Sequence, residues 1–137
     1  MEKIIIDRKL LQNIIDWDNI TVEGVLNGRK FDLDLDFEED KFIELLQIIP
    51  LLFEFGKAGK GSYGLKHVLE DFLKKSYCSN AMAILAFKYL HFRTSKANSA
   101  QAPNLTIYVK PKFKMDNFQP LARYIHFLKN QSVASNS

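Results

Sequence analysis

The stretch from Asn80 to Phe92 constrains this chain more than any other. Met82, Ile84, Leu85, Phe87, Tyr89 and Leu90 leave it almost no polar side. A helix that is apolar all round must be enclosed by other elements, so the remaining segments are expected to wrap it. Those segments carry single apolar stripes instead. Leu10, Leu11, Ile14 and Ile15 recur at helical spacing behind Asp7, a residue suited to a helix N-cap. Phe42, Leu45, Leu46 and Ile49 follow Asp36 and Glu39, which fit a capping box, and Pro50 then ends or kinks the helix. Ser62 precedes a third stripe of Leu65, Val68, Leu69, Phe72 and Leu73, with Lys66, Glu70, Asp71 and Lys74 on its solvent side. Asp116 and Gln119 open a last helix carrying Phe118, Leu121, Ile125 and Leu128.

Two segments alternate with the period of a strand. Phe31, Leu33, Leu35 and Phe37 interleave with Asp32, Asp34 and Asp36, behind Asn27-Gly28, a favoured two-residue hairpin turn. This predicts a hairpin with residues 20–25 as the first strand and the four apolar side chains facing the core. Leu105, Ile107 and Val109 interleave with Thr106, Tyr108 and Lys110 to give a later strand. Between the elements, Gly56-Lys57-Ala58-Gly59-Lys60-Gly61-Ser62 reads as a flexible basic loop and residues 94–104 as a polar one. The expected fold is α+β, with about five helices packed on a small, mainly antiparallel sheet and an N-terminal β-hairpin. A chain of 137 residues suits one domain, here residues 1–131, with a frayed tail at 132–137.

Cys78 is the only cysteine, which excludes an internal disulfide and any multi-cysteine zinc site. Such usage suits the cytoplasm or another reducing intracellular compartment. No run reaches the roughly 18 apolar residues of a membrane span, so no membrane partner is expected. Charge is divided along the chain. Residues 1–55 hold 13 acidic and 6 basic side chains, whereas residues 56–137 hold 3 and 13. The basic half suggests an anionic partner, either a nucleic acid or an acidic protein surface. The alternative is that the halves fold together and neutralise one another.

Sites for chemistry are sparse. The glycine–lysine loop lacks the Gly-Lys-Ser/Thr order of a phosphate-binding loop, because Ser62 follows Gly61 directly. His67 and Glu70 share a helix face without a second histidine, and a solvated face is the simpler reading. Asp32, Asp34 and Asp36 lack the spacing of a calcium loop. Cys78 has no catalytic partner nearby in sequence. No enzyme activity, metal or cofactor is therefore expected. The order of two helices and a strand over residues 62–113 is that of a winged helix-turn-helix, but its second helix is too apolar to read bases. Backbone-directed nucleic-acid binding stays open, through Lys57, Lys60, Lys88, Arg93, Lys96, Lys110, Lys112 and Lys114, with Tyr108 as a stacking group. The competing expectation is an interaction or structural module whose basic half meets an acidic protein.

Ser62, Tyr63, Leu65, Lys66, His67, Glu70, Tyr77, Asn80 and Ala83 together resemble a segment of small uncharacterised proteins of phages and other mobile elements. The resemblance covers about a sixth of the chain. It implies a viral or mobile-element origin and assigns no functional residue.

Overall fold

A computed structural model describes residues 4–74 and 77–114. Helix α1 spans Arg8–Trp17, and short strands β1 (Ile20–Thr21) and β2 (Gly24–Val25) follow it. Helix α2 (Glu39–Leu52) runs straight into strand β3 (Phe53–Gly61), and β3 runs straight into α3 (Ser62–Glu70). Helix α4 (Asn80–Tyr89) and strand β4 (Thr106–Pro111) complete the described elements. The fold is a single α+β domain with four helices among the described residues and two small antiparallel sheets, β1–β2 and β3–β4. The expected last helix from Asp116 and the tail at 132–137 lie outside those residues.

Helix α4 is the centre. Every residue from Asn80 to Phe87 is buried, and α1, α2, α3, β1 and β2 all pack on it. Leu11 and Ile15 of α1, and Phe42, Leu45, Ile49 and Leu52 of α2, supply the surrounding apolar stripes. Both ends of α4 are anchored. At its start, the Ser79 hydroxyl accepts from the Met82 amide at 3.1 Å. The Asn80 side-chain Nδ2 donates to the Glu23 carbonyl at 3.0 Å, to the Pro103 carbonyl at 3.2 Å and to the Asn104 Oδ1 at 3.1 Å. At its end, His91 adopts a left-handed φ of 69°, and the Phe92 amide reaches back to the Phe87 carbonyl at 3.0 Å. That bond and the packing of the Phe87 and Phe92 rings at 5.2 Å form a Schellman termination. A nearby anchor joins α1, where Asp7 caps the Leu10 amide and its own amide donates to the Tyr89 hydroxyl.

The expected N-terminal hairpin forms only in part. β1 pairs with β2 across a tight turn, and residues 29–31 return along β1 through Val22 to Arg29 and Phe31 to Ile20 backbone bonds. Asn27-Gly28 is not a two-residue turn, because Leu26 and Gly28 take the positive φ values. Beyond Phe31 the alternating segment folds as a turn. Its aspartates bond to their own backbone: Asp32 accepts from the Asp34 amide, and Asp36 accepts from the Asp32 amide. Such local bonds compete with a strand ladder. Phe31 is therefore buried, Leu33 and Phe37 are half-buried, and Leu35 is 78% exposed. Asp36 is not a helix cap. It holds Arg29 in a two-pronged ion pair, and that guanidinium keeps its carboxyl below the usual range.

The glycine–lysine segment is a strand, not a loop. β3 pairs antiparallel with β4, from Phe53 opposite Pro111 to Gly61 opposite Thr106, with a bulge between Phe55 and Ala58. Its glycines allow close approach. A Cβ at Gly56 would lie 2.5 Å from the Val109 carbonyl oxygen, and one at Gly59 2.5 Å from the Thr106 methyl. Arg93 and the first residues of the expected 94–104 loop lie along the other edge of β4. The Tyr108 amide donates to the Arg93 carbonyl, Thr94 bridges Ile107, and the Ser95 amide donates to the Thr106 carbonyl.

Gly24 sits where the Asn80 junction meets β2. It has φ of 143°, and an added Cβ would overlap the Pro103 carbonyl and stand 2.5 Å from the Asn80 amide nitrogen. Gly24→Ala is therefore expected to cost roughly 2–5 kcal/mol from backbone strain and overpacking. Gly61→Ala, which meets open space, should stay within about 1 kcal/mol. Denaturant midpoints of the two variants check this, and equal midpoints would mean that the junction does not hold α4.

Candidate nucleic-acid interface

β4 divides its side chains between two faces. Ile107 and Val109 are buried, while Thr106, Tyr108 and Lys110 point the other way. Paired residues of antiparallel strands share a face. Gly59 therefore lies under Tyr108, and an added Cβ there would sit 3.4 Å from the Tyr108 ring. Glu54 lies opposite Lys110, with the ion pair at 3.5 Å. On the far edge of β4, the Arg93 guanidinium carbon sits 4.5 Å from the Tyr108 ring centroid. The Schellman turn at His91 and Phe92 aims Arg93 here, and the 93–95 pairing holds it. Arg93, Tyr108 and Gly59 thus form one row across the sheet, with Lys110 beside it.

The structure sorts the remaining expected site residues. Lys57 is exposed in the β3 bulge, and Lys96 is exposed just past the edge segment. Neither shows a carboxylate partner among the described residues. Lys114 is exposed beyond the end of β4. Three others do not join the row. Lys60 is exposed but paired with Ile107, so it leaves the sheet on the opposite face. Lys88 has a side chain only 10% exposed, pairs with Asp18 at 3.4 Å and donates to the Thr94 hydroxyl at 2.8 Å. Lys112 donates to the Pro50 carbonyl at 2.6 Å, capping the end of α2. It is one of the lysines expected to contact phosphate, and its ammonium is instead held at that carbonyl. Helix α4, the second helix of the expected helix-turn-helix order, is core and cannot enter a groove.

The two charged halves neutralise one another in places, through Lys88–Asp18 and Lys110–Glu54. Elsewhere the acidic half pairs internally. Arg8, Arg29 and Lys30 line a groove beside α1 and are paired with Asp34, Asp36 and Asp16. On the sheet face around Tyr108, Arg93 lacks a carboxylate partner among the described residues.

A separate network occupies α3. Lys66, expected on a solvated face, is only 8% exposed. Its ammonium pairs with Glu70 at 3.0 Å and lies under the rings of Tyr63 and Tyr77, at 5.3 and 5.6 Å. His67 Nδ1 also meets Glu70 at 3.0 Å, and the Cys78 amide donates to the same carboxylate at 3.3 Å. Burial alone would raise the Glu70 carboxyl; Lys66, the Cys78 amide and the His67 charge outweigh it and hold it below the usual range. Cys78 is pushed up to about 12 by burial and by the Glu70 charge, so the thiol is not an ionised nucleophile. Among the described residues no three His, Cys, Asp or Glu side chains gather as metal ligands, and no helix is long and apolar enough to cross a membrane.

Sequence reasoning missed the edge segment 93–95, the Gly59 platform and the burial of Lys66. The i,i+4 spacing of Lys66 and Glu70 was the one available signal for the last.

Glu70→Gln strands the Lys66 charge and should cost about 3 kcal/mol at neutral pH, as for other mostly buried pairs. The Glu70 carboxyl titrates lower when folded than when unfolded. Its contribution is therefore present above the ordinary carboxylate range and is lost as pH falls through the folded value. The stability gap between wild type and Glu70→Gln should close in acid, as measured by denaturant titration at neutral and acidic pH. Comparison with protein-family models, with curated proteins and with solved structures finds no match to this chain, so the site is read from its own geometry.

Proposed function

We propose that this is a non-enzymatic nucleic-acid-binding protein whose exposed β3–β4 face contacts the phosphate backbone. The observation that carries the reading is the exposed Arg93 guanidinium over Tyr108, without a carboxylate partner among the described residues, on the sheet face that also carries Lys110. A sheet that shows cations and an aromatic ring on its solvent face offers both contacts that nucleic acids use, charge for phosphate and a ring for a base. The buried, un-ionised Cys78 and the core placement of α4 support backbone contact over catalysis or groove reading. An acidic protein surface would meet the same cations and is the competing partner.

Binding to labelled oligonucleotides should weaken steeply with salt, with a log–log slope of about −0.9 per phosphate contacted on duplex. Lys57→Glu and Lys96→Glu should weaken it alike for every sequence. Their melting temperatures should stay close to wild type, because exposed lysines contribute little to folding. Lys112→Glu should differ by also lowering stability, since it removes the cap on Pro50. Absence of binding at low salt would remove the nucleic-acid reading and leave the acidic protein partner.

A further inference from the structure

Resting on that reading, we infer that the preferred ligand is a single strand, held by an unpaired base stacked on the Arg93–Tyr108 pair. Arg93 sits over the phenol ring at 4.5 Å, and the ring is backed by Gly59. One side of the ring is thus occupied by the strand beneath and the other by the guanidinium. The group presented to solvent is the guanidinium, exposed and without a carboxylate partner among the described residues.

A guanidinium is planar and weakly hydrated, and it accepts an aromatic ring on its free side. A base stacked there extends the existing pair into a three-layer stack. Only an unpaired base can do so, because bases inside a duplex are covered on both faces by their neighbours. Lys110 lies two residues along β4 from Tyr108, and Lys57 lies in the bulge toward the same end of the sheet, so both stand where the backbone leaving that base in one direction would meet positive charge. The absence of a side chain at Gly59 contributes directly, since a Cβ there would overlap the Thr106 methyl beside the ring.

Arg93→Lys separates this arrangement from simple charge attraction, because it keeps the charge and removes the plane. The probes are a labelled oligothymidylate and a labelled duplex with the same number of phosphates, measured by anisotropy. Wild type should bind the single strand about tenfold more tightly, a typical effect of one stacked base. Arg93→Lys and Tyr108→Ala should lose about that factor on the single strand and leave duplex binding and its salt slope unchanged. Tyr108→Phe should behave as wild type, which controls for folding. Equal affinity for the two probes, or wild-type behaviour of Arg93→Lys, overturns the stacking inference while leaving the phosphate-contact reading in place. Failure of wild type to bind either probe overturns both.

Discussion

Enclosure of α4 is the constraint on which the rest of the structure depends. An apolar helix with no solvent face gains stability only when elements cover every side, and here five do so. Its ends must then be satisfied by groups brought in from elsewhere. Asn80 joins the β1–β2 turn to the loop before β4, and Tyr89 receives the amide that starts α1. These polar anchors set where the surrounding layers begin. The Schellman turn at His91 does more than end a helix. It sends the chain directly along the edge of β4 and so places Arg93 over Tyr108.

The candidate interface is therefore a by-product of core packing. Ile107 and Val109 are drawn inward against the core, and alternation forces Tyr108 and Lys110 outward. The same logic explains which cations are free to act. Lys88 leaves the helix beside Asp18 and is consumed by that pair, while Lys112 is consumed at the end of α2. Arg93, Lys57 and Lys96 meet no such partner among the described residues, and Arg93 is the one of them held against Tyr108.

The α3 network is a second polar structure of a different kind. Its charges are taken out of water, and they remain ionised because each is met: Lys66 by Glu70, and Glu70 by an ammonium, an imidazole and a backbone amide. Tyr63, Lys66, His67, Glu70 and Tyr77, spread along the sequence, form one cluster around the buried ammonium. That is a physical reason for these residue types to occur together.

Much of the fold was legible wherever local chemistry and burial agree. The four helices, the Asp7 cap, the central place of α4 and the alternation of β4 all follow from periodicity, because side-chain direction repeats with the local backbone. Of the interface, Tyr108 and Lys110 were legible on the same ground. Legibility failed where two local rules competed. The Asp-rich segment 32–36 had the alternation of a strand, yet its carboxylates captured their own amides. The glycines of β3 read as flexibility, yet they permit a close strand pairing whose partner lies some fifty residues away. What only the tertiary structure decided was pairing at a distance: the Arg93 stack, the loss of Lys88 to Asp18, the burial of Lys66. Sequence determines which way a side chain leaves its own element; which group it then meets depends on how the other elements close around α4.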